Sequence, residues 1–557
     1  MIEQNFIKLL ENSFKSNWDL PAYTNYSTRQ TYTYGEAATQ IARLHLLFRE
    51  ANIQQGDKIS LIGKNTPNWA ITYVAVVTYG AVIVPILQDF NPNDVHHIVN
   101  HSDSVMLFCS DKNWDSLEEE KMEDLLAVFS LDDFRCIHQR DGIGIQKIVR
   151  YLDTLFKETY PNGYTSDLIC YAERENQELA MISYTSGTTG FSKGVMISGN
   201  ALAGNITFGI ETRLLEKGDR VLTFLPLAHA YGMAFDFLTA TCVGAHTTLL
   251  NKIPSPKVLL KAFEEVKPTV IFTVPLILEK IYRKQLQPAL AKRSMRLALS
   301  IPLLDDKIYS QVKKKLDEAF GDVFKEVIIG GAPLNREVED FLRKIKFRFT
   351  VGYGMTECAP LICYAPWDEY VPYSVGKPLP KMEVKIESED PQNIAGEILV
   401  RGENLMGGYY KNIDATKSTF AEDGWMRTGD MGIIDADGNV FIKGRRKTMI
   451  LGANGQNIYP EEIEEKLNNL PFVMESLVIE KEGKLFALVY PDYEAVDAAS
   501  ISHDDLGLIM DENRKQLNSI VGSYENISKI ILYPTEFEKT PKRSIKRYLY
   551  TNLNVNA

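Results

Sequence analysis

The stretch "MISYTSGTTGFSKGVMIS", residues 181–198, concentrates residue types that grip phosphate. Gly187, Gly190 and Gly194 permit close backbone approach. Thr185, Ser186, Thr188 and Thr189 bring hydroxyl donors, and Lys193 brings a compact positive charge. Such a set can hold a polyphosphate. It is not a Walker loop, which sets Gly directly before Lys, sets Ser or Thr after it, and opens a helix. Here Ser192 precedes Lys193, Gly194 follows it, and "GVMIS" continues extended. The spacing therefore predicts a loop closing a hairpin between two strands. A plain surface turn rich in Gly, Ser and Thr is the competing reading.

A loop of this kind needs a rigid frame, and the flanking sequence provides one. Residues 30–250 alternate helical patterns with short apolar runs such as "DKISLIG", "AVIVPIL", "SVMLFC" and "RVLTFLPL". That alternation predicts an α/β architecture with mainly parallel strands. It returns in "PTVIFTVP" and "EVIIGGAP", with the helical "PLILEKIYRKQL" between them. From about 371 the runs become short strands with turns, which predicts a smaller β-rich subdomain. After Lys447 a fresh unit begins with the helical "NIYPEEIEEKLNNL" and the hairpin "SLVIEKEGKLFALVYP". The expected organisation is a large N-terminal domain over 1–446, with its β-rich part at about 371–446. A small α+β domain over 447–557 follows, hinged to the first.

The 557 residues are 45% hydrophobic and 24% charged, as in ordinary globular proteins. A net charge of −12 argues against nucleic-acid binding. The six cysteines form no CxxC pair and show neither a zinc nor a disulfide framework, so reduced thiols in the cytoplasm are expected. "MIEQNFIKLLENSFKSNW" reads as an amphipathic helix, not a signal peptide. "WAITYVAVVTYGAVIVPIL" (69–87) is long enough to cross a membrane, but Gly80 and Pro85 interrupt it. A buried helix, a turn at Gly80 and a buried strand fit it better.

Further segments appear in order downstream: "GGAPL" (330–334), "YGMTE" (353–357), "GWMRTGD" (424–430), "GRRK" (444–447) and "NGQNIYPEEIE". With the 181–198 loop, this series resembles the adenylate-forming superfamily over nearly the whole chain. That superfamily comprises acyl-CoA synthetases, luciferases and nonribosomal peptide adenylation domains. The resemblance implies a nucleotide site. Thr185, Ser186, Gly187, Thr188, Thr189 and Lys193 would hold phosphates. Gly331, Ala332 and Pro333 would border adenine, and Tyr353 and Gly354 would lie against it. Thr356 would reach the α-phosphate, Glu357 would bind magnesium, Asp430 would hold the ribose hydroxyls, and Arg445 would sit near the nucleotide. Lys447 would be the pivot. The roles make chemical sense: ATP carries four negative charges, and a carboxylate nucleophile approaches it only if cations offset them. Surface charge for Glu357 and a turn or cap role for Asp430 are the plain alternatives.

"FLPLAHAYGMAF", "TVPLILEKIY" and "GEILVRGENLMGGYYKN" are similar to long-chain acyl-CoA synthetase segments. His229 would then lie near the mouth of an acyl tunnel, although a packed loop histidine is the simpler reading. Leu276 stands where many long-chain members carry Arg. The implied reaction has two steps. A fatty carboxylate attacks the α-phosphorus and expels pyrophosphate, and the thiol of coenzyme A then attacks the acyl-adenylate and expels AMP. Fatty acid, ATP and coenzyme A are the expected partners, with Mg2+ as cofactor and no nucleic acid. The expected state is a monomer or homodimer in the cytoplasm, with peripheral membrane contact as an addition.

One position departs from the family. Its tail carries Lys in a "TPxxK" pattern that bridges the acid and the α-phosphate, whereas "EKTPKRSIKRYLY" places Ser544 there. Lys542 and Lys546 stand two residues to either side, and Lys542 is the favoured replacement. Three readings stay open: a fatty acyl-CoA ligase, an enzyme loading a carrier protein, and a nucleotide-binding homologue with impaired ligation.

Overall fold

The computed structural model describes residues 2–140, 142, 144–185, 192–301, 304–451, 456–540, 544–551 and 553. Its largest element is an eight-stranded sheet. The strand order from one edge is Gly408–Tyr409, Lys193–Ser198, Leu179–Thr185, Val82–Ile86, Lys58–Ile62, Ser104–Cys109, Ala127–Ser130 and Cys136–Gln139. The inner strands pair in parallel and both ends pair antiparallel. Parallel strands are covered on both faces, which explains the uninterrupted apolar runs. "VIVPI" is buried at every position.

The ambiguous run at 69–87 resolves as expected. Thr66 caps the helix Pro67–Tyr79 by accepting from the Trp69 amide, and Pro67 opens it. Gly80 ends it in the left-handed region (φ 90°), and the strand Val82–Ile86 follows. Among the described residues no helix is long and apolar enough to cross a membrane.

A four-stranded sheet sets the parallel strands Arg220–Thr223, His246–Leu249 and Pro21–Asn25 side by side. A three-stranded parallel sheet joins Ile271–Thr273, Val327–Ile329 and Phe349–Val351. The fold is α/β, in layers. The antiparallel sheet of Met382–Glu387, Gly396–Gly402, Met426–Ile434 and Val440–Arg445 packs Ile398, Val400, Met426 and Val440 into the same core. From Ile458 onward the apolar side chains form clusters of their own, around Ile463, Leu467, Val478 and Val489 and around Leu477, Phe486 and Phe537. Polar contacts tie this C-terminal part to the rest. Asn469 Oδ1 accepts from Arg283 at 3.1 Å and from Asn335 at 2.8 Å, and Glu494 pairs with Lys284 at 3.2 Å.

Asp236 is a local exception to the packing rules. It is fully buried in a stretch of π-helix, Gly232–Thr239, and burial pushes its carboxyl well above the usual carboxylate range. Burial thus favours its protonated form.

Candidate active site

The hairpin expected around the opening loop is present. Leu179–Thr185 and Lys193–Ser198 pair antiparallel, with Thr185 opposite Lys193. Ser186, Gly187, Thr188 and Thr189 lie outside the described residues. Gly194 has a clear reason to be glycine: a Cβ there would come within 2.9 Å of Ile182 and 3.1 Å of the Tyr184 ring.

A short edge strand organises the charged residues around the hairpin. Tyr409 pairs with Val195, and the amides of Gly407 and Tyr410 donate to Met196 and Gly194 at 2.9 and 2.7 Å. The Met406 amide donates to the Glu357 carbonyl at 2.8 Å. The Tyr409 side chain repeats this link. Its hydroxyl donates to Glu357 Oε1 at 2.9 Å, and Lys193 Nζ lies 4.8 Å from its ring centre. One buried tyrosine thus touches both the lysine and the acid. Sequence reasoning did not single out Tyr409. Its signal was the "GGYYKN" turn, whose partners are distant in sequence.

The segment 353–357 runs through the centre of the site. At its start the Tyr353 hydroxyl donates to Asp430 Oδ2 at 2.7 Å. Asp430 stands opposite Arg445 in the antiparallel sheet, and Arg445 Nε is 3.1 Å from Oδ1. Burial pushes the Asp430 carboxyl above its usual range, against the pull of Arg445 and of the Tyr353 hydroxyl. In the middle, Gly354 passes so close to Pro360 that a Cβ would fall 2.3 Å from its carbonyl oxygen. At the end, Thr356 and Glu357 occupy a single 3-10 turn.

Gly354 and Thr356 also line an apolar cleft of ≈ 560 Å³, open to solvent. Phe208, Phe235, Phe272 and Ile328 form its walls, and His229 and Gly331 border it too. Tyr231 is fixed in the wall by its hydroxyl, which donates to the Ile328 carbonyl at 3.0 Å. Its ring packs where a Cβ on Gly330 would be, at 3.1 Å. Gly331 takes φ +85°, which L side chains rarely adopt. Ala332 and Pro333 follow it, exposed.

The structure thus gathers His229, Gly331, Gly354 and Thr356 around one cleft, Lys193 and Glu357 around Tyr409, and Tyr353, Asp430 and Arg445 in one cluster. Lys447 stands apart, exposed in the turn after the strand Val440–Arg445. Lys542 lies outside the described residues. Ser544 is exposed, and its carbonyl accepts from the Thr540 amide at 2.8 Å. Lys546 is engaged locally, 2.6 Å from Glu538 Oε1.

Among the described residues no three His, Cys, Asp or Glu converge on a metal position. A single carboxylate, Glu357, beside a lysine fits a magnesium that keeps its waters and phosphate oxygens, not one caged by protein.

A family model described as "AMP-binding enzyme" matches residues 10–410. A long-chain-fatty-acid–CoA ligase of Mycobacterium bovis, FadD15, is 30% identical, over 92% of this chain and 89% of its own. Long chain acyl-CoA synthetase 4 of Arabidopsis thaliana is 28% identical, over 78% of this chain and 68% of its own. Among solved structures, ATP-bound MatB of Rhodopseudomonas palustris superposes with a TM-score of 0.76, at 23% identity and 98% coverage of both chains. The agreement of the motif order, the fold and these relatives leads to one conclusion: the chain belongs to the AMP-binding enzyme family, the adenylate-forming ligases.

Proposed function

We propose that this protein is a long-chain fatty-acid–CoA ligase. It activates the acid with ATP as an acyl-adenylate and then transfers the acyl group to coenzyme A. The observation that carries the reading is the course of segment 353–357. It passes from the Tyr353–Asp430–Arg445 cluster, along the apolar cleft, to Glu357 and Lys193. A nucleotide laid along it has its ribose hydroxyls at Asp430 and its phosphates at Glu357 and Lys193. The α-phosphorus then falls by Thr356, where the cleft delivers a carboxylate. The walls of the cleft suit an alkyl chain, and the names of the relatives agree.

In the first step a carboxylate oxygen attacks the α-phosphorus and the bond to the bridging oxygen breaks, releasing pyrophosphate. Lys193 steadies the departing charge, and Thr356 donates to the α-phosphate. Magnesium, held by Glu357, would supply charge neutralisation on the phosphate oxygens. In the second step the sulfur of coenzyme A attacks the acyl carbonyl, and AMP leaves with the bonding pair. The family's division of labour assigns 447–557 to a mobile domain that turns at Lys447 between the two steps. We place the protein in the cytoplasm, as a monomer or homodimer in peripheral contact with membrane.

The test is a panel of fatty acids of rising chain length, assayed for AMP release with coenzyme A and, separately, with an acyl carrier protein. Long-chain acids with coenzyme A should give the highest kcat/KM. A preference for the carrier protein, or for short or aromatic acids, would overturn the assignment.

Tyr409→Phe removes one hydroxyl and leaves Glu357 without that donor. The magnesium concentration that half-saturates pyrophosphate exchange should rise about tenfold, the scale of a hydrogen bond to a charged group. The melting temperature should stay near the parent's. An unchanged magnesium requirement would show that Tyr409 is only packing. In the tail, Lys546 pairs with Glu538, which favours Lys542 over Lys546 as the replacement for the family residue at Ser544. Lys542→Ala should slow adenylation selectively, by about tenfold or more on the scale of a charge-assisted contact. Equal adenylation in the two proteins would remove Lys542 from that role.

A further inference from the structure

The strand that carries Lys193 has two neighbours in the large sheet, Leu179–Thr185 on one side and the edge strand Gly408–Tyr409 on the other. Each neighbour leads to a tyrosine, and the two tyrosines meet one histidine. Tyr184 stands opposite Gly194, and Tyr410 donates its amide to the Gly194 carbonyl at 2.7 Å. His101 lies between their rings. Its Nδ1 is 2.8 Å from the Tyr184 hydroxyl. Its ring centre is 5.8 Å from that of Tyr184 and 6.0 Å from that of Tyr410, edge-on to both. Asp103 holds the edge strand in turn. Its Oδ2 accepts from the Tyr410 hydroxyl at 2.8 Å, and its Oδ1 accepts from Lys411 at 2.6 Å. Asp103 takes φ 56°, a left-handed backbone that Asp tolerates better than most residues.

We propose that His101 and Asp103 are positioning residues, which brace both neighbours of the Lys193 strand so that Lys193 and Tyr409 meet a triphosphate in one fixed geometry. The proposal rests on the nucleotide placement given above. A strand of two residues is held weakly by its own ladder, so side-chain contacts decide where Tyr409 sits. Asp103 fixes the two residues that follow it. The brace is itself anchored in the sheet. His101 ends the helix Pro92–His101, and the Ser102 amide donates to Ile98 at 2.9 Å. The Ser102 hydroxyl is 2.8 Å from that of Ser104, which is 2.7 Å from that of Ser60 in the strand Lys58–Ile62, and all three residues are buried. The protonation states suit the contacts. Burial, with His97 and Lys411 nearby, holds the His101 imidazole below its ordinary range, and burial pushes the Tyr184 hydroxyl up. A neutral ring can thus accept the Tyr184 proton at Nδ1. Against its partial burial, Lys411 and Tyr410 hold the Asp103 carboxyl below the usual range, which keeps it charged.

Nucleotide titrations of the full-length protein test the brace without acid and without turnover. His101→Phe keeps a ring between the tyrosines and removes Nδ1. It should raise the Kd of magnesium-ATP about tenfold, the scale of one hydrogen bond. The Kd of AMP should stay at the parent's value, because AMP lacks the phosphates that the hairpin would hold. His101→Asn offers a polar atom close to the place of Nδ1 and should recover most of the ATP affinity. Asp103→Gly removes the carboxylate while glycine adopts φ 56° freely. It should weaken magnesium-ATP with the same selectivity, by about threefold, since its ion pair with Lys411 is more exposed. A merely structural role would move both nucleotides together. Parental ATP affinity in His101→Phe, equal loss of ATP and AMP, or no recovery in His101→Asn would overturn the proposal. Selective loss of ATP binding, in a protein whose parent shows no acid-dependent AMP release, would leave the brace standing and remove the ligase assignment.

Discussion

Glu357→Gln is expected to lower fatty-acid-dependent exchange of pyrophosphate into ATP by about 10²-fold or more. The substitution keeps the side-chain shape and the acceptor oxygen that Tyr409 uses at 2.9 Å. It removes only the negative charge. Attack on the α-phosphorus brings an anion toward four negative charges, and at close range each such pair costs several kcal/mol unless a cation intervenes. Without the carboxylate, a divalent ion loses its protein ligand at the point where the charge is densest. The defect should shrink as magnesium is raised, because added ion compensates a lost ligand and does not repair a lost fold. Near-parental exchange at limiting magnesium would falsify the metal assignment.

The second large effect is expected at Lys447. Lys447→Pro should slow thioester formation about 10²-fold while adenylation changes little. Proline locks φ near −65° and restrains the residue before it. A pivot must pass between two backbone conformations, and a reacting group left ångströms out of place loses about this much rate. The surroundings suit a pivot. The Arg446 amide donates to Gly429, and the Thr448 and Met449 amides donate to Arg445, so both flanks are tied while Lys447 projects into solvent. Single-turnover measurements of acyl-adenylate formation and of its transfer to coenzyme A separate the steps. Equal loss in both would place the pivot elsewhere.

Local chemistry made much of this molecule legible in advance. The parallel strands announced themselves as apolar runs, and Gly80 marked the break that turns 69–87 into a helix and a strand. Thr185 and Lys193 could be placed across a hairpin because "GVMIS" continues extended after the lysine. Neighbours distant along the chain were not legible. Nothing in "GGYYKN" says that Tyr409 lies against Glu357 and Lys193, since that depends on a two-residue edge strand pairing across more than two hundred positions. The partnership of Asp430 with Arg445 and Tyr353 depends likewise on antiparallel register. Asp236 lies in an apolar stretch that does not announce its burial, and only the fold shows that its carboxyl is pushed well above the usual range.

The proposed reaction joins a fatty acid to coenzyme A by way of an adenylate. Its most direct test is the product balance when the protein, ATP, magnesium, coenzyme A and a long-chain fatty acid are combined. AMP and acyl-CoA should form in a one-to-one ratio, with no ADP, and no AMP should form when the acid is left out. Formation of ADP, or AMP release that ignores the acid, would contradict it.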